Sequence, residues 1–292
     1  MILEVKNLNK SFRHPWNLSM IQVLKDVNFK VETKSIVGFL GGNGAGKTTS
    51  IKCLLGLLTY QEGDLKIFGK NHLSKKVKKE IGYLPERPFF YSYLTAYEFL
   101  LFYGQLSGMS GIELEKRIDE LLELVGLSHA KKMFLKQFSK GMLQRVGMAQ
   151  ALIHRPKLLI LDEPLSGLDP DGRRQLVKII QDAFDNQNTS IFFSSHLLDD
   201  IDRLCQGIIV IKGGRVEFQG KKSEFVDRGE SKYIIRFGSA SEPEIKYADN
   251  FDLLQTSIDE IRKKGQNIVS VEKEKISLDR AFKEFHGQEV EL

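Results

Sequence analysis

The stretch GGNGAGKTT, Gly41 to Thr49, follows the short apolar run SIVGFL and opens a helical run from Lys47 towards Leu57. Gly41, Gly46, Lys47 and Thr48 fall at the spacing of a phosphate loop. Glycines let backbone N–H groups converge on phosphate oxygens without Cβ clashes. The start of the helix adds a favourable partial positive charge. In that setting Lys47 reaches the β- and γ-phosphates of a nucleotide, and the Thr48 hydroxyl ligates Mg²⁺. Asn43, Gly44, Ala45 and Thr49 complete the candidate contacts of the loop.

A second signal lies downstream, in LLILDEP, Leu158 to Pro164. Four apolar residues read as a buried strand with two carboxylates emerging at its carboxyl end, where open α/β sheets bind their ligands. Asp162 is placed to hold Mg²⁺ beside Thr48. Glu163 is placed to orient and polarise an attacking water. The bland alternative is a capping pair at a strand end, and the upstream loop disfavours it.

Around these two stretches, strand-like segments alternate with helical ones. ILEV, VLKDVNFKVE, DLKIFG, TSIFFSSH and the hairpin IIVIKGGRVEF read as strands, and RRQLVKIIQDAF and LLDDIDRL as helices. From Tyr93 to about Arg155 the pattern is helical, with Leu121, Leu122, Leu124, Val125 and Leu127 at helix spacing. Ser139 is expected to cap a helix beginning at Gly141. The lysine cluster KKVKKE reads as a solvated helix face. After about Lys221, YIIRFG, DLLQTSIDEIRKKG, NIVSVE and SLDRAFKEF suggest a small strand–helix–strand–helix appendage.

Two further stretches carry a family resemblance. FSKGMLQRVGMAQALIHRP precedes the LLILDEP strand, and SGLD follows it. With them the chain resembles the ATP-binding subunits of ABC transporters, over about residues 1 to 220 and with the motifs in order. The family signature at the first stretch reads LSGGQ, whereas this chain reads Phe138, Ser139, Lys140, Gly141, Met142. The resemblance implies that Ser139 and Gly141 cap the γ-phosphate bound by a neighbouring subunit, and a serine hydroxyl, a glycine N–H and a helix dipole suit an anion there. It also implies that His196, in SSH, touches the γ-phosphate and links Glu163 to the dimer interface. Asp169 would lie in the loop that crosses to the partner. Phe12, in KSF, falls where the family stacks an aromatic ring on adenine, and Trp16 competes for that role. Glu86, in YLPE, stands where most members carry glutamine, next to the metal and water site. Ionised glutamate only accepts hydrogen bonds.

The implied fold is α/β: a P-loop NTPase core of ABC ATPase type with an antiparallel β subdomain, a helical insert and a small C-terminal α+β appendage. The implied boundaries are 1–220 for the ATP-binding domain, with its helical subdomain at about 88–155, and 221–292 for an accessory domain. The implied function is an ATPase that uses ATP and Mg²⁺ and dimerises head-to-tail, as a homodimer or a paralogous heterodimer. It would drive a separate transmembrane permease subunit from the cytoplasmic face of the inner or plasma membrane. YLPE and SKGM resemble the ATPases of type-two exporters and favour export over import.

Composition agrees with such a reading. The 292 residues are 41% hydrophobic and 28% charged, with a net charge of +5. That mild charge permits phosphate or anionic lipid contacts without demanding nucleic acid, so no nucleic-acid partner is expected. The contrasting class, a soluble ABC-type ATPase switch acting on nucleic acid or ribosomes, rests on this charge. Cys53 and Cys205 sit in apolar runs and suggest no disulfide framework. Glu4 and Lys6 interrupt what a signal peptide would need, and no apolar run approaches a bilayer span. The absence of an NKxD motif disfavours a GTPase. A single phosphate loop without a coiled-coil insertion disfavours the translation-factor and chromosome-maintenance branches of the superfamily.

Overall fold

Ile36–Leu40 is a five-residue strand in which every side chain is buried, and it carries the glycine-rich loop at its carboxyl end. In the computed structural model, which describes residues 1–14, 19–227, 232–239, 243–273 and 277–286, this strand is central to a six-stranded sheet. The chain forms two compact units, Met1–Gln219 and Gly220–Leu292.

The first unit opens with β1 (Leu3–Arg13), β2 (Met20–Val31) and the central β3 (Ile36–Leu40), followed by α1 (Lys47–Leu54). Next come β4 (Glu62–Ile67), β5 (Lys70–Asn71), α2 (Lys75–Lys78) and β6 (Ile81–Leu84). Three helices follow, α3 (Ala96–Leu106), α4 (Gly111–Leu124) and α5 (Lys140–Leu152). The unit then continues through β7 (Leu158–Asp162), α6 (Pro170–Gln187), β8 (Ser190–Ser195), α7 (Leu198–Leu204) and β9 (Gly207–Lys212), and the boundary falls within β10 (Arg215–Lys221). One sheet has the order β2-β1-β4-β5, with antiparallel pairing throughout. The other has the order β10-β9-β3-β8-β7-β6, and its strands from β9 to β6 run parallel.

The two sheets share one apolar core with α1. Phe29 of the antiparallel sheet meets Phe39 and Phe192 of the parallel sheet, with ring centroids 5.5 and 5.7 Å away. Because β3, β6, β7 and β8 are parallel, their carboxyl ends lie on one edge. That edge gathers the glycine loop, Glu86, the Asp162–Glu163 pair and His196, as expected at the ligand-binding edge of an open α/β sheet.

Several elements differ from the sequence expectation. IGYL forms strand β6, which the sequence reading did not mark because four residues leading into an aromatic loop carry too little alternation. α1 ends at Leu54, where Gly56 turns the chain with a φ of 67°, short of Leu57. α5 begins at Lys140, one residue before Gly141, and Ser139 caps it by accepting a hydrogen bond from the Met142 N–H at 3.2 Å.

The second unit contains α8 (Lys222–Val226), β11 (Tyr233–Gly238), β12 (Pro243–Ala248), α9 (Phe251–Lys263), β13 (Ile268–Lys273) and α10 (Leu278–His286). β11 is the middle strand of an antiparallel sheet, between β12 and β13. Ile235, Phe237 and Ala248 on this sheet pack with Leu254 and Ile261 of α9. α8 and α10 meet through Phe225 and Phe285. The strand–helix–strand–helix expectation therefore omitted α8 and β12. The latter, PEIKYA, is an edge strand whose Ile245 and Tyr247 face outward between charged residues.

Candidate functional site

Gly46 precedes α1 with a φ of 110°, a left-handed conformation that side chains rarely adopt. This turn lets the chain enter the helix directly and places Lys47 and Thr48 in its first turn. Lys47 is buried. Its Nζ donates to the Gly41 carbonyl at 2.6 Å and the Gly42 carbonyl at 3.2 Å, and it pairs with Glu163 Oε1 at 3.2 Å. Thr48 Oγ1 donates to Asp162 Oδ1 at 3.1 Å. The predicted hydroxyl–carboxylate pair is thus assembled from α1 and the end of β7.

Beside that pair stands Ser194, whose position the sequence reading left without a role. Asp162 and Ser194 are register partners on the parallel strands β7 and β8. Ser194 Oγ donates to Asp162 Oδ1 at 2.7 Å and accepts the Glu163 backbone N–H at 2.9 Å. One fully buried hydroxyl therefore holds both members of the acidic pair. Burial pushes the Asp162 carboxyl above its ordinary pKa, the bonds from Ser194 and Thr48 pull it down, and the Glu163 and Glu86 charges push it up.

Glu163 has a φ of 48°, in the left-handed region that a non-glycine residue seldom occupies. Its carboxylate is held between two nitrogens, with Lys47 on Oε1 and His196 Nδ1 on Oε2 at 2.7 Å. Gln144 of α5 supports the turn behind it by donating from Nε2 to the Pro164 carbonyl at 2.8 Å. The sequence shows the motif that contains Gln144 but not this bond.

A cleft of 570 Å³ opens over these groups. Asn43, Gly44, Ala45, Gly46, Lys47, Thr48, Thr49, Glu86, Glu163 and His196 line it, together with Gly42, Val23 and Ser166, which the sequence does not single out. Gly41 lies beneath, as an acceptor for Lys47. Phe12 is not among the lining residues; it pairs with Ile21 on β2, near the Val23 that does line the cleft. Trp16 lies outside the described residues.

Ser139, Gly141 and Asp169 are not in this cleft. They line a second one, of 420 Å³, with Lys140, Arg145, Gly167, Leu168, Asp171, Gly172 and Gln175. Ser139 caps α5, and Asp169 caps α6 by accepting the Gly172 N–H at 2.9 Å. The candidate residues thus fall into two groups on one unit, joined by the short segment from Glu163 to Asp169.

A glycine loop at a helix start, a hydroxyl–carboxylate pair and a second carboxylate at the strand ends define a P-loop nucleoside triphosphatase of the ABC ATPase fold. The comparisons carry this to a family. A family model described as "ABC transporter" matches residues 24–166. The uncharacterized ABC transporter ATP-binding protein YxlF of Bacillus subtilis is 41% identical over 223 residues, covering 76% of this chain and 72% of that protein. The bacitracin transport ATP-binding protein BcrA of Bacillus licheniformis is 44% identical over 192 residues, covering 65% of this chain and 62% of that protein. Among solved structures, a dimeric post-hydrolysis state of the ATP-binding cassette MJ0796, bound to ADP and Pi, matches with a TM-score of 0.69 and 25% identity. That match covers 75% of this chain and 98% of that one. The chain belongs to the ATP-binding proteins of ABC transporters, and it is an ATPase.

Proposed function

We propose that the chain is the ATP-hydrolysing subunit of an exporter, pairing head-to-tail with a second ATP-binding subunit and driving a separate transmembrane permease. The observation that carries this reading is the division of the site residues between two clefts. Lys47, Glu163 and His196 line one, and Ser139, Gly141 and Asp169 line the other. Each ATP would be bound at the first cleft of one subunit and capped by the second cleft of its partner. As the cap of α5, the Ser139 hydroxyl accepts from the Met142 N–H and retains its own hydrogen to donate to an anion.

In this reading Lys47 and the loop amides hold the phosphates, and Phe12 offers its ring to adenine. Glu163 takes the proton of the attacking water, and His196 holds the glutamate from its other oxygen and senses the γ-phosphate. Thr48 and Asp162 suit Mg²⁺, with Glu86 nearby. They are hard oxygen donors, and the described residues contain no group of three His, Cys, Asp or Glu able to cage a metal alone. That fits an ion which keeps waters and shares the substrate's phosphates. When bound, it would neutralise charge on the β- and γ-oxygens.

The surface offered to the permease is the aromatic loop after Glu86. Phe89 and Tyr93 are 75% and 68% exposed, and Tyr91 bridges the rings of Phe89, Tyr93 and Phe102. Phe99 and Leu100 are buried and anchor the stretch, while Leu94, Phe90 and Tyr91 are half-buried. No helix among the described residues is long and apolar enough to cross a membrane. A peripheral position on the cytoplasmic face, bound to the permease, follows from the proposal. Export is supported by YLPE and SKGM and by the likeness to BcrA, whose name records bacitracin transport.

The test mixes two inactive variants, Lys47→Ala and Ser139→Ala. A head-to-tail heterodimer would contain one site with both residues intact, so ATPase activity should return on mixing. A mixture as inactive as its components would refute the shared site.

A further inference from the structure

Lys10 is 8% exposed, and its ammonium forms no ion pair with a carboxylate among the described residues. Lysine is rarely buried this far without a partner, because removing its charge from water is costly. The group it meets is an aromatic ring: Nζ lies 4.7 Å from the centroid of Phe12. Lys10 and Phe12 are two apart on β1, so both point to the same face of the strand.

The register of β1 and β2 explains why this pair borders the nucleotide cleft. Lys10 pairs with Leu24 and Ser11 with Gln22, which leaves Val23 as the extra residue of a β-bulge. Val23 lines the cleft, and Phe12 pairs with Ile21 on the bulge's open side. Phe12 is 37% exposed and its register partner Ile21 46%, making an apolar pair on one face of the strands. The ammonium lies over one side of the Phe12 ring, and the ring itself stays partly exposed.

We infer that Lys10 is a positioning residue for the nucleotide base: it holds the Phe12 ring from one side and tunes the opposite side for stacking on adenine. The inference rests on the proposed role of Phe12 as the adenine platform. Two physical effects support it. A cation against one face draws π density toward itself, leaving the far face less negative for an electron-rich purine. A ring already held in place loses less rotational freedom when the base arrives.

The test measures equilibrium affinity of the full chain for ATP and for inorganic tripolyphosphate, without Mg²⁺ so that neither is turned over. Lys10→Met keeps length and apolar bulk but removes the charge. It should weaken ATP binding by about two- to fivefold, the size of an ordinary cation–π contact, and leave tripolyphosphate binding unchanged. Lys10→Arg, which retains a cation for the ring, should keep ATP affinity near the parent value and gives a second measurement if the methionine variant folds poorly. The inference is overturned if Lys10→Met weakens both ligands equally, since the ammonium would then act on phosphates. It is also overturned if Lys10→Met changes neither ligand while Phe12→Ala weakens ATP alone. If Phe12→Ala leaves the difference between ATP and tripolyphosphate intact, the platform reading itself fails and takes this inference with it.

Discussion

Replacing Ser194 by alanine tests the least visible part of the site. The hydroxyl donates to Asp162 at 2.7 Å and accepts the Glu163 N–H at 2.9 Å, and its side chain is fully buried. A hydrogen bond to a buried carboxylate contributes about 1.5–3 kcal/mol, and an orphaned N–H costs about 1–3 kcal/mol. Because both bonds pass through one oxygen, the combined loss should be about 2–4 kcal/mol rather than their sum. For a chain of this size that corresponds to a fall in melting temperature of roughly 5–15 °C.

The same change has an electrostatic consequence with a definite sign. The Ser194 bond holds the Asp162 pKa down against burial, so its loss must move that pKa further up. A proton then competes better with Mg²⁺ at the proposed metal site. The magnesium concentration for half-activation should rise by about 10–100-fold, and the acid limb of the activity profile should move to higher pH. Phosphate release measured against Mg²⁺ between pH 6 and 8, with a thermal melt of the same samples, reads both effects. A variant that melts with the parent refutes the energetic argument. A destabilised variant with an unchanged magnesium requirement at every pH refutes the positioning argument alone.

Glu163→Gln should leave ATP binding intact and slow hydrolysis by roughly 100-fold or more, and near-normal turnover would remove Glu163 from the base role. Gly82→Ala would drive a methyl into the Ala151 carbonyl of α5 and the Leu159 and Pro156 side chains, at a cost of about 1–3 kcal/mol. Urea unfolding should show the lowered midpoint, and a parental midpoint would mean that β6 and α5 are not this close. His72 is buried, with Nδ1 on the Leu65 carbonyl, and burial pushes its pKa down. As pH falls below about 6.5, the unfolded chain therefore takes up a proton that the folded chain resists, and stability drops. His72→Gln should flatten that loss in melting curves between pH 7.5 and 5, and parallel slopes would contradict it.

The legible and illegible parts of this site differ in how local they are. The loop from Gly41 to Thr49 and the run LLILDE each contain their own strand, turn and functional groups within a few residues. Spacing therefore sufficed to single out Lys47, Thr48, Asp162 and Glu163, whose side chains the structure brings together. Ser194 sits in the SSH stretch, but its meaning depends on the alignment of β8 with β7, which no local pattern encodes. Glu86 could be named by resemblance, yet its position was fixed by β6, a strand too short to recognise. Lys10 was invisible for a related reason: a lysine in a strand reads as solvated, and only the three-dimensional contact shows it buried on a ring.

The segment between Glu163 and Asp169 gives the two clefts a mechanical relation. Ser166 lines the first cleft, while Gly167, Leu168 and Asp169 line the second. The Ser166 N–H donates to the Glu163 carbonyl at 3.2 Å, and the Asp169 side chain ends the segment as the cap of α6. From the other side, α5 carries Ser139 at its start, and one turn later Gln144 holds the carbonyl of Pro164, next to Glu163. A shift of α5 toward an anion at Ser139 would therefore be transmitted to the turn that carries Glu163, the proposed base. The left-handed backbone of Glu163 makes that turn sensitive, because such a conformation persists only while its surroundings enforce it. In the proposed dimer the anion at Ser139 is the partner's ATP. Occupancy of one subunit's site would then bear on the geometry of the other's base through a single buried amide, with no displacement of the sheet required.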